Sequence, residues 1–309
     1  ELNNIEIVSA IKKNIPVIKR SELLGELIKI KDISIAVSGT HGKTTTSSMV
    51  GSILHEANLN PTIIIGGIVN KFNSNNISGT GDIIVVEADE FDKSFLALQP
   101  TYSIINNIDL EHLDCYEDLD SLLNTFCQFA NSIPFYGKVF INNDSKNVQT
   151  ICNRINKPKT TFSIYNKSDF QAVDISFSKN KSYFRLKNNK STIKLNCPGK
   201  HNVYNALAAI AISHEIKIPF NKIKKGLESY QGVKRRFEIC YDNLNNGIMV
   251  VDDYAHHPEE IKATIHAAKN GWGKRIISVF QPHLFSRTRD FYVDFSNSLS
   301  LSDIIIITD

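Results

Sequence analysis

The sequence predicts the α/β class: an open parallel sheet doubly wound by helices, with a second α/β unit starting near its end. Three observations carry this. Short β-branched runs alternate with helical apolar spacing from residue 33 onward, a Gly/Thr-rich turn joins the first such run to the first such helix, and the alternation restarts after Arg236. With 309 residues, 42% of them hydrophobic and 22% charged, the chain has apolar material for about two cores.

The elements follow in order. Residues Ile5 to Ile30 show helical character in two pieces around Pro16 and carry no chemical motif, so they read as a tail or linker. Ile33–Val37 is a β-branched strand, and Thr45–Ala57 a helix with apolar positions at Met49, Val50, Ile53 and Leu54. Strands at Thr62–Ile65, Asp82–Val86, Tyr102–Asn106 and Lys138–Ile141 alternate with helical stretches such as Leu119–Asn131. Such alternation needs right-handed crossovers and gives a parallel sheet covered on both faces. Phe170–Leu195, rich in Ser, Lys and Asn, breaks the pattern and suggests a small antiparallel sheet, and the helix Asn202–His214 follows Pro198-Gly199. A new strand (Ile248–Val251), loop (Asp252–Pro258) and helix (Glu259–Lys269) come next, continued by strands Arg275–Phe280 and Asp303–Ile307. The expected division is 1–30 tail and linker, 31–236 a first α/β domain, and 237–309 a second, Rossmann-like α/β domain.

Composition excludes several classes. Lys+Arg at 35 against Asp+Glu at 32 leaves a formal charge of +3, spread along the chain, so nucleic acid is not a default partner. No apolar run approaches the roughly 20 residues of a membrane-crossing helix. Five cysteines without a CxxC pair suit a reducing cytoplasm. Glu1 is not an initiator Met and Asp303–Asp309 reads as a buried strand, so the chain is expected to be a piece of a longer protein.

The chemistry-bearing residues gather where strands end. Gly39-Thr40-His41-Gly42-Lys43-Thr44-Thr45-Thr46 sits between strand and helix, where backbone N–H groups can converge on phosphate oxygens. Lys43 reaches the terminal phosphates and the Thr44 hydroxyl ligates Mg2+, although Val37 stands where the strict P-loop pattern has its first Gly. Glu87 follows the strand Asp82–Val86, at the ligand edge of an open sheet, and is a candidate Mg2+ ligand. His112, past the next strand, is a candidate second-metal ligand. His201, Asn202 and Asn205 open a helix and read alone as no more than its N-terminus. The loops Asp252–Pro258 and Gln281–Arg289 lie at carboxyl ends of strands, and their histidines and arginines suit an anionic substrate.

Together these motifs resemble the Mur ligases of peptidoglycan synthesis. The phosphate loop, Glu87, His112, His201-Asn202-Val203-Tyr204-Asn205 and Arg235-Arg236-Phe237-Glu238 fall in family order, and the resemblance runs from about Ile5 to Asp309. It implies a three-domain enzyme of which this chain holds the tail of the first domain, the central ATP-binding domain and the opening of the third. It further implies ATP and Mg2+, with UDP-N-acetylmuramate and L-alanine as substrates joined through an acyl phosphate, because the runs Glu87–Glu90, Asp252–Pro258 and Phe280–His283 are most similar to the alanine-adding members. By the same resemblance Thr44 and Glu87 hold one metal and His112 the other. His201, Asn202 and Asn205 contact adenine, Asp252 lies near the ribose, and Arg236, His256, His283 and Arg287 line the side where substrate carboxylate and incoming alanine meet. Glu111 replaces the family's usual Asp, and Leu284 stands where some members carry Arg. A recycling ligase that attaches a tripeptide to UDP-N-acetylmuramate shares most of these motifs, and a P-loop ATPase module without ligase chemistry is the alternative from another class.

Overall fold

The computed structural model describes residues 3–110, 115–243 and 247–308. Helices α1 (Ile5–Lys12) and α2 (Arg20–Ile28) precede strand β1 (Ile33–Ser38) and helix α3 (Lys43–Glu56). Next come β2 (Thr62–Val69), β3 (Ser74–Ile77), β4 (Ile83–Glu87), a 3-10 segment at Phe91–Ala97, β5 (Tyr102–Ile105), α4 (Leu119–Asn131), β6 (Lys138–Asn142), α5 (Lys146–Cys152) and β7 (Lys159–Ser163). Strands β8 (Phe170–Ser178), β9 (Lys181–Leu186) and β10 (Thr192–Leu195) lead to α6 (Lys200–Glu215) and α7 (Phe220–Glu228). The last unit comprises β11 (Glu238–Asn243), β12 (Ile248–Asp252), α8 (Pro258–Trp272), β13 (Ile277–Phe280), α9 (Phe285–Asp290), α10 (Tyr292–Leu299) and β14 (Ile304–Ile307).

One ten-stranded sheet dominates, in the order β10-β9-β8-β7-β6-β5-β1-β4-β2-β3. β1 lies between β4 and β5 and is parallel to both. Successive side chains of a strand point to opposite faces, and the two cores record that alternation. Ile35, Val37, Val85 and Ile104 pack with α3, α6 and α7 on one face. Ala36, Ile84, Val86 and Ile105 pack with α4 and α5 on the other. Near-continuous apolar strands are what burial on both faces demands. Because the chain leaves β1 in one direction toward β4 and β2, and later in the other toward β5, β6 and β7, the crevice beyond the carboxyl ends of β1, β4 and β5 is the switch point where open α/β sheets bind ligands.

Several expectations need correction. The segment 170–195 is antiparallel as expected, β8 with β9 and β9 with β10, but β8 also pairs in parallel with β7, so these strands extend the main sheet and do not form a small sheet of their own. β7 carries no strand signal because Lys-Thr-Thr-Phe-Ser is polar, with Phe162 its one large apolar residue, although Thr160, Phe162 and Ser163 are all buried. Helix α7 was hidden by its lysines and buries only Ile223, Gly226 and Leu227. The segment Ile304–Ile307, expected to be buried, has all four residues exposed; among the described residues it pairs only with β13, and α10 buries its apolar face against α8 instead. The tail is more than a linker, since Ile28 of α2 is buried in the second core.

The last unit docks on the main sheet. The Lys179 amide donates to the Gly271 carbonyl at 3.0 Å, and the connection after α7 is pinned by Asn70 N–H to Gly232 O at 3.1 Å and Lys234 N–H to Ile68 O at 2.9 Å. No helix among the described residues is long and apolar enough to cross a membrane. Phe140, fully buried in the first core, should cost about 3–5 kcal/mol when cut to Ala. Phe135, 86% exposed, should cost under about 0.5 kcal/mol when changed the same way. Urea unfolding of the two variants checks the contrast.

Candidate active site

The phosphate loop begins where β1 stops. Val37 is fully buried as a β1 core residue, so the loop itself spans only Gly39 to Gly42 and the missing first Gly of the strict pattern falls inside a strand. Gly39 and Gly42 take φ of +127° and +82°, which side-chain-bearing residues rarely adopt, and a Cβ on Gly42 would run into the Asn205 side chain. The segment after β5 holds the loop in shape. Asn107 accepts from the His41 amide at 2.7 Å and donates to the His41 carbonyl at 3.1 Å, and the Thr40 hydroxyl accepts from the Asp109 amide at 2.9 Å.

Behind the loop runs a buried polar chain. Asn106 donates to Thr46 at 2.9 Å, the Thr46 hydroxyl donates to Asn205 at 3.1 Å, and Asn205 donates to Asn202 at 3.2 Å. These bonds tie α3 to α6. Asn202 and Asn205 are thus committed largely to the protein's own network, although both still line a cavity of about 280 Å3 with His41, Thr45, His201 and Asp253. Burial lowers the His201 pKa to about 4, so its ring is neutral near pH 7.

A second cavity, of about 440 Å3, lies on the other side of the loop and is lined by Lys43, Thr44, Gly66, Glu87, Arg236 and His256. Lys43 extends to the buried Glu90, 2.8 Å away, with Asp89 at 3.7 Å. Burial pushes the Glu90 carboxyl up, opposed by the charge and hydrogen bond of Lys43. Glu87 accepts from the Gly66 amide at 2.9 Å. Burial raises its pKa too, against the Gly66 N–H, the Thr44 hydroxyl and the charges of Lys43 and Arg236. Thr44 and Glu87 therefore bring a hydroxyl and a carboxylate together beside the loop. This hard-oxygen pair fits Mg2+, which takes few protein ligands and completes its shell with phosphate and water. Among the described residues no cluster of three or more His, Cys, Asp or Glu could hold a metal by itself. His112 and Glu111 lie outside the described residues.

The C-terminal unit closes this side. Arg236 borders both cavities. His256 lines the second, and Arg287 is buried close enough that its charge helps lower the pKa values of His256 and His257, whose main cause is burial. His283 is exposed and borders neither cavity. Asp252, expected near a ribose, instead points to Arg235 at 3.2 Å, and the neighbouring Asp253 borders the first cavity. Strand alternation explains the exchange: consecutive residues leaving β12 face opposite ways. Asp253 is fixed by Thr264 at 2.9 Å and by the Phe237 and Ala255 amides. Sequence reasoning also passed over Glu90, Asn106 and Glu260. Glu90 lies in an acidic run that reads as solvated, and its burial comes from residues distant in the chain, among them Lys43 and Tyr116, which donates to the Glu90 carbonyl at 2.6 Å.

The Mur ligase middle-domain model matches residues 37–213, and the Mur ligase glutamate ligase domain model matches 235–309. The chain belongs to the Mur ligase family. Curated family members similar to it include UDP-N-acetylmuramate--L-alanine ligase of Persephonella marina, 47% identical over 99% of this chain, and that of Chlorobaculum parvum, 44% identical over 99%. The chain spans 66% and 65% of those two proteins. Among solved Mur ligase structures, the UDP-N-acetylmuramate-alanine ligase MurC of Thermotoga maritima aligns with a TM-score of 0.84 and 29% identity, over 99% of this chain and 69% of that one. A murein peptide ligase from Psychrobacter arcticus aligns at 0.73 and 27%, also over 99% and 69%. The second of the two domain matches begins within the Lys234–Phe237 connection, where Arg235 and Phe237 take φ of +58° and +47°.

If Asp253 rather than Asp252 faces the nucleotide, Asp253→Asn should weaken ADP binding by about tenfold, or about 1.4 kcal/mol, and Asp252→Asn by no more than about threefold. Calorimetric titration of both variants measures the difference.

Proposed function

We propose that this chain carries the nucleotide-binding core and the adjoining C-terminal unit, divided near residue 236, of a cytoplasmic ligase that joins L-alanine to the lactyl carboxylate of UDP-N-acetylmuramate at the expense of ATP. The observation that carries the reading is the junction, on one cavity edge, of the phosphate loop, the Thr44–Glu87 oxygen pair, Arg236 and His256, with the charge of the buried Arg287 acting on His256 from beside. The names of relatives 44–47% identical along the chain supply the substrates.

The chemistry follows from charge. A carboxylate is a poor electrophile, so the γ-phosphoryl group passes from ATP to a lactyl carboxylate oxygen, leaving ADP and an acyl phosphate. The alanine amine then attacks the carbonyl carbon, the C–N bond forms, the C–O bond to phosphate breaks, and the amine gives up its proton. Lys43, released from Glu90, meets the charge on the transferring group, and amides of residues 39–44 hold the remaining phosphate oxygens. Thr44 and Glu87 would hold Mg2+, which neutralises phosphate charge when bound, and His112 is the proposed ligand of a second ion. His41, Thr40, Thr45, Gly39 and Gly42 complete the phosphate side, while His201, Asn202, Asn205 and Asp253 border the base and sugar side. Arg236, His256 and Arg287 face the anionic acceptor. His283 is a weaker candidate there because it is exposed and borders neither cavity, whereas Arg287, which also borders neither, is buried with its charge acting on His256.

In the whole protein, phosphate release measured with ATP, Mg2+ and UDP-N-acetylmuramate should depend on added L-alanine. Dependence on a tripeptide in its place supports the murein peptide ligase reading suggested by a structural neighbour with that name, and release without any amine supports a plain ATPase. Lys43→Ala should lower turnover by a factor of at least about 100, the scale of losing a major electrostatic contact of about 3 kcal/mol. Near-normal ligation by that variant would remove Lys43 from the mechanism. Glu87→Gln should raise the Mg2+ concentration needed for half-maximal turnover, since one fixed anionic oxygen is lost. A Mg2+ titration that superimposes on the parent's contradicts the assignment.

A further inference from the structure

Glu260 occupies a position that the reaction itself does not require. It sits in the first turn of α8, three residues after His257, and borders both cavities, on the divide between the base side and the phosphate side. An acid in a first helical turn usually serves the helix dipole and faces water. This one is largely enclosed, at 13% side-chain exposure. One oxygen lies 3.4 Å from His41 Nδ1 of the phosphate loop and 3.4 Å from Arg236 Nη1 at the connection. The other accepts from the His256 amide at 3.1 Å and lies 3.4 Å from His256 Nδ1. Burial alone would raise its pKa, yet His41, Arg236 and His256 together hold it well below the usual carboxylate range.

A buried anion next to a polyphosphate site opposes nucleotide binding by simple repulsion, so its presence there calls for a compensating use. The three groups it holds come from three separate parts of the chain: the phosphate loop, the connection, and the loop after β12. We propose that Glu260 is a positioning residue that locks the C-terminal unit onto the phosphate loop and fixes Arg236 and His256 for the acceptor. The catalytic part of this rests on the ligase reading above, while the locking part stands on the geometry alone.

The test therefore has two arms on the intact protein. In the first, hydrogen exchange is followed at the amides of residues 39–45. Glu260→Ala should speed exchange there at least about fivefold although residue 260 is in a different element, and Lys269→Ala, an exposed change on the same helix, should not. Equal exchange in the two variants overturns the lock, whatever the activity of the protein. In the second, with the parent's amine-dependent turnover established, Glu260→Ala should lower kcat about a hundredfold, as misplacement of about 1 Å can. ATP affinity should hold steady or tighten, because a repelling charge is gone. Glu260→Gln, which keeps the acceptor for the His256 amide, should recover at least about tenfold of the lost kcat. Loss of kcat together with a proportional loss of ATP affinity would reveal a purely structural residue and sink the positioning role. Loss of amine dependence in the parent would sink the ligase reading while leaving the first arm to decide the lock.

Discussion

Parallel strands cannot be joined by a tight turn; each needs a crossover that returns the chain to the starting edge, so the carboxyl ends of the parallel strands finish on the same side. The rest of this structure depends on that constraint. β1, β4 and β5 are neighbours, and the loops after them, carrying Lys43, Glu87 and Asn106–Asp109, are brought together although they are separated by dozens of residues in the chain. The phosphate loop keeps its shape because the segment after β5 bonds it from beside, not because its own sequence closes on itself.

The second organising fact is electrostatic. Isolated buried charges are costly, and breaking one partner from a buried pair typically costs about 3–5 kcal/mol. The site therefore keeps its cations in company. Lys43 rests on Glu90, and Arg236 rests on Glu260, with His41 and His256 sharing the same carboxylate. On the proposed function, a nucleotide arriving at the loop would exchange one anionic partner of Lys43 for another, which would limit the desolvation that binding must overcome. The histidines of this region, His201, His256 and His257, are held neutral mainly by burial, so near pH 7 the positive charge here belongs to Lys43, Arg236 and Arg287.

Local pattern made the main elements legible. β1, α3, β4, β5, α4, β6, α6 and α8 announce themselves by apolar period, and the phosphate loop by glycines set between strand and helix. Elements with polar sequences, such as β3, β7 and α7, were hidden because their burial comes from neighbours distant in sequence: Phe162 is buried by the sheet on either side, and Ile223 and Leu227 by α3 and β10. The apolar segment Ile304–Ile307 erred the other way, because hydrophobicity signals a wish for cover and not its presence.

The amino-acid sequence by itself determined the fold class, the position of the phosphate loop, and the candidacy of Lys43, Thr44 and Glu87, since each of these depends on residue type and short-range spacing, while Arg236 was pointed to only by the family resemblance. Only the tertiary structure decided which carboxylate answers which cation. That Glu90 meets Lys43, that Asp253 and not Asp252 borders the cavity, and that Glu260 gathers His41, Arg236 and His256 all follow from distances across elements. The physical reason is the range of the forces. Backbone propensity and periodic burial act within a few residues of chain, whereas the pairing of buried charges is set by whichever groups the crossovers bring within a few ångströms.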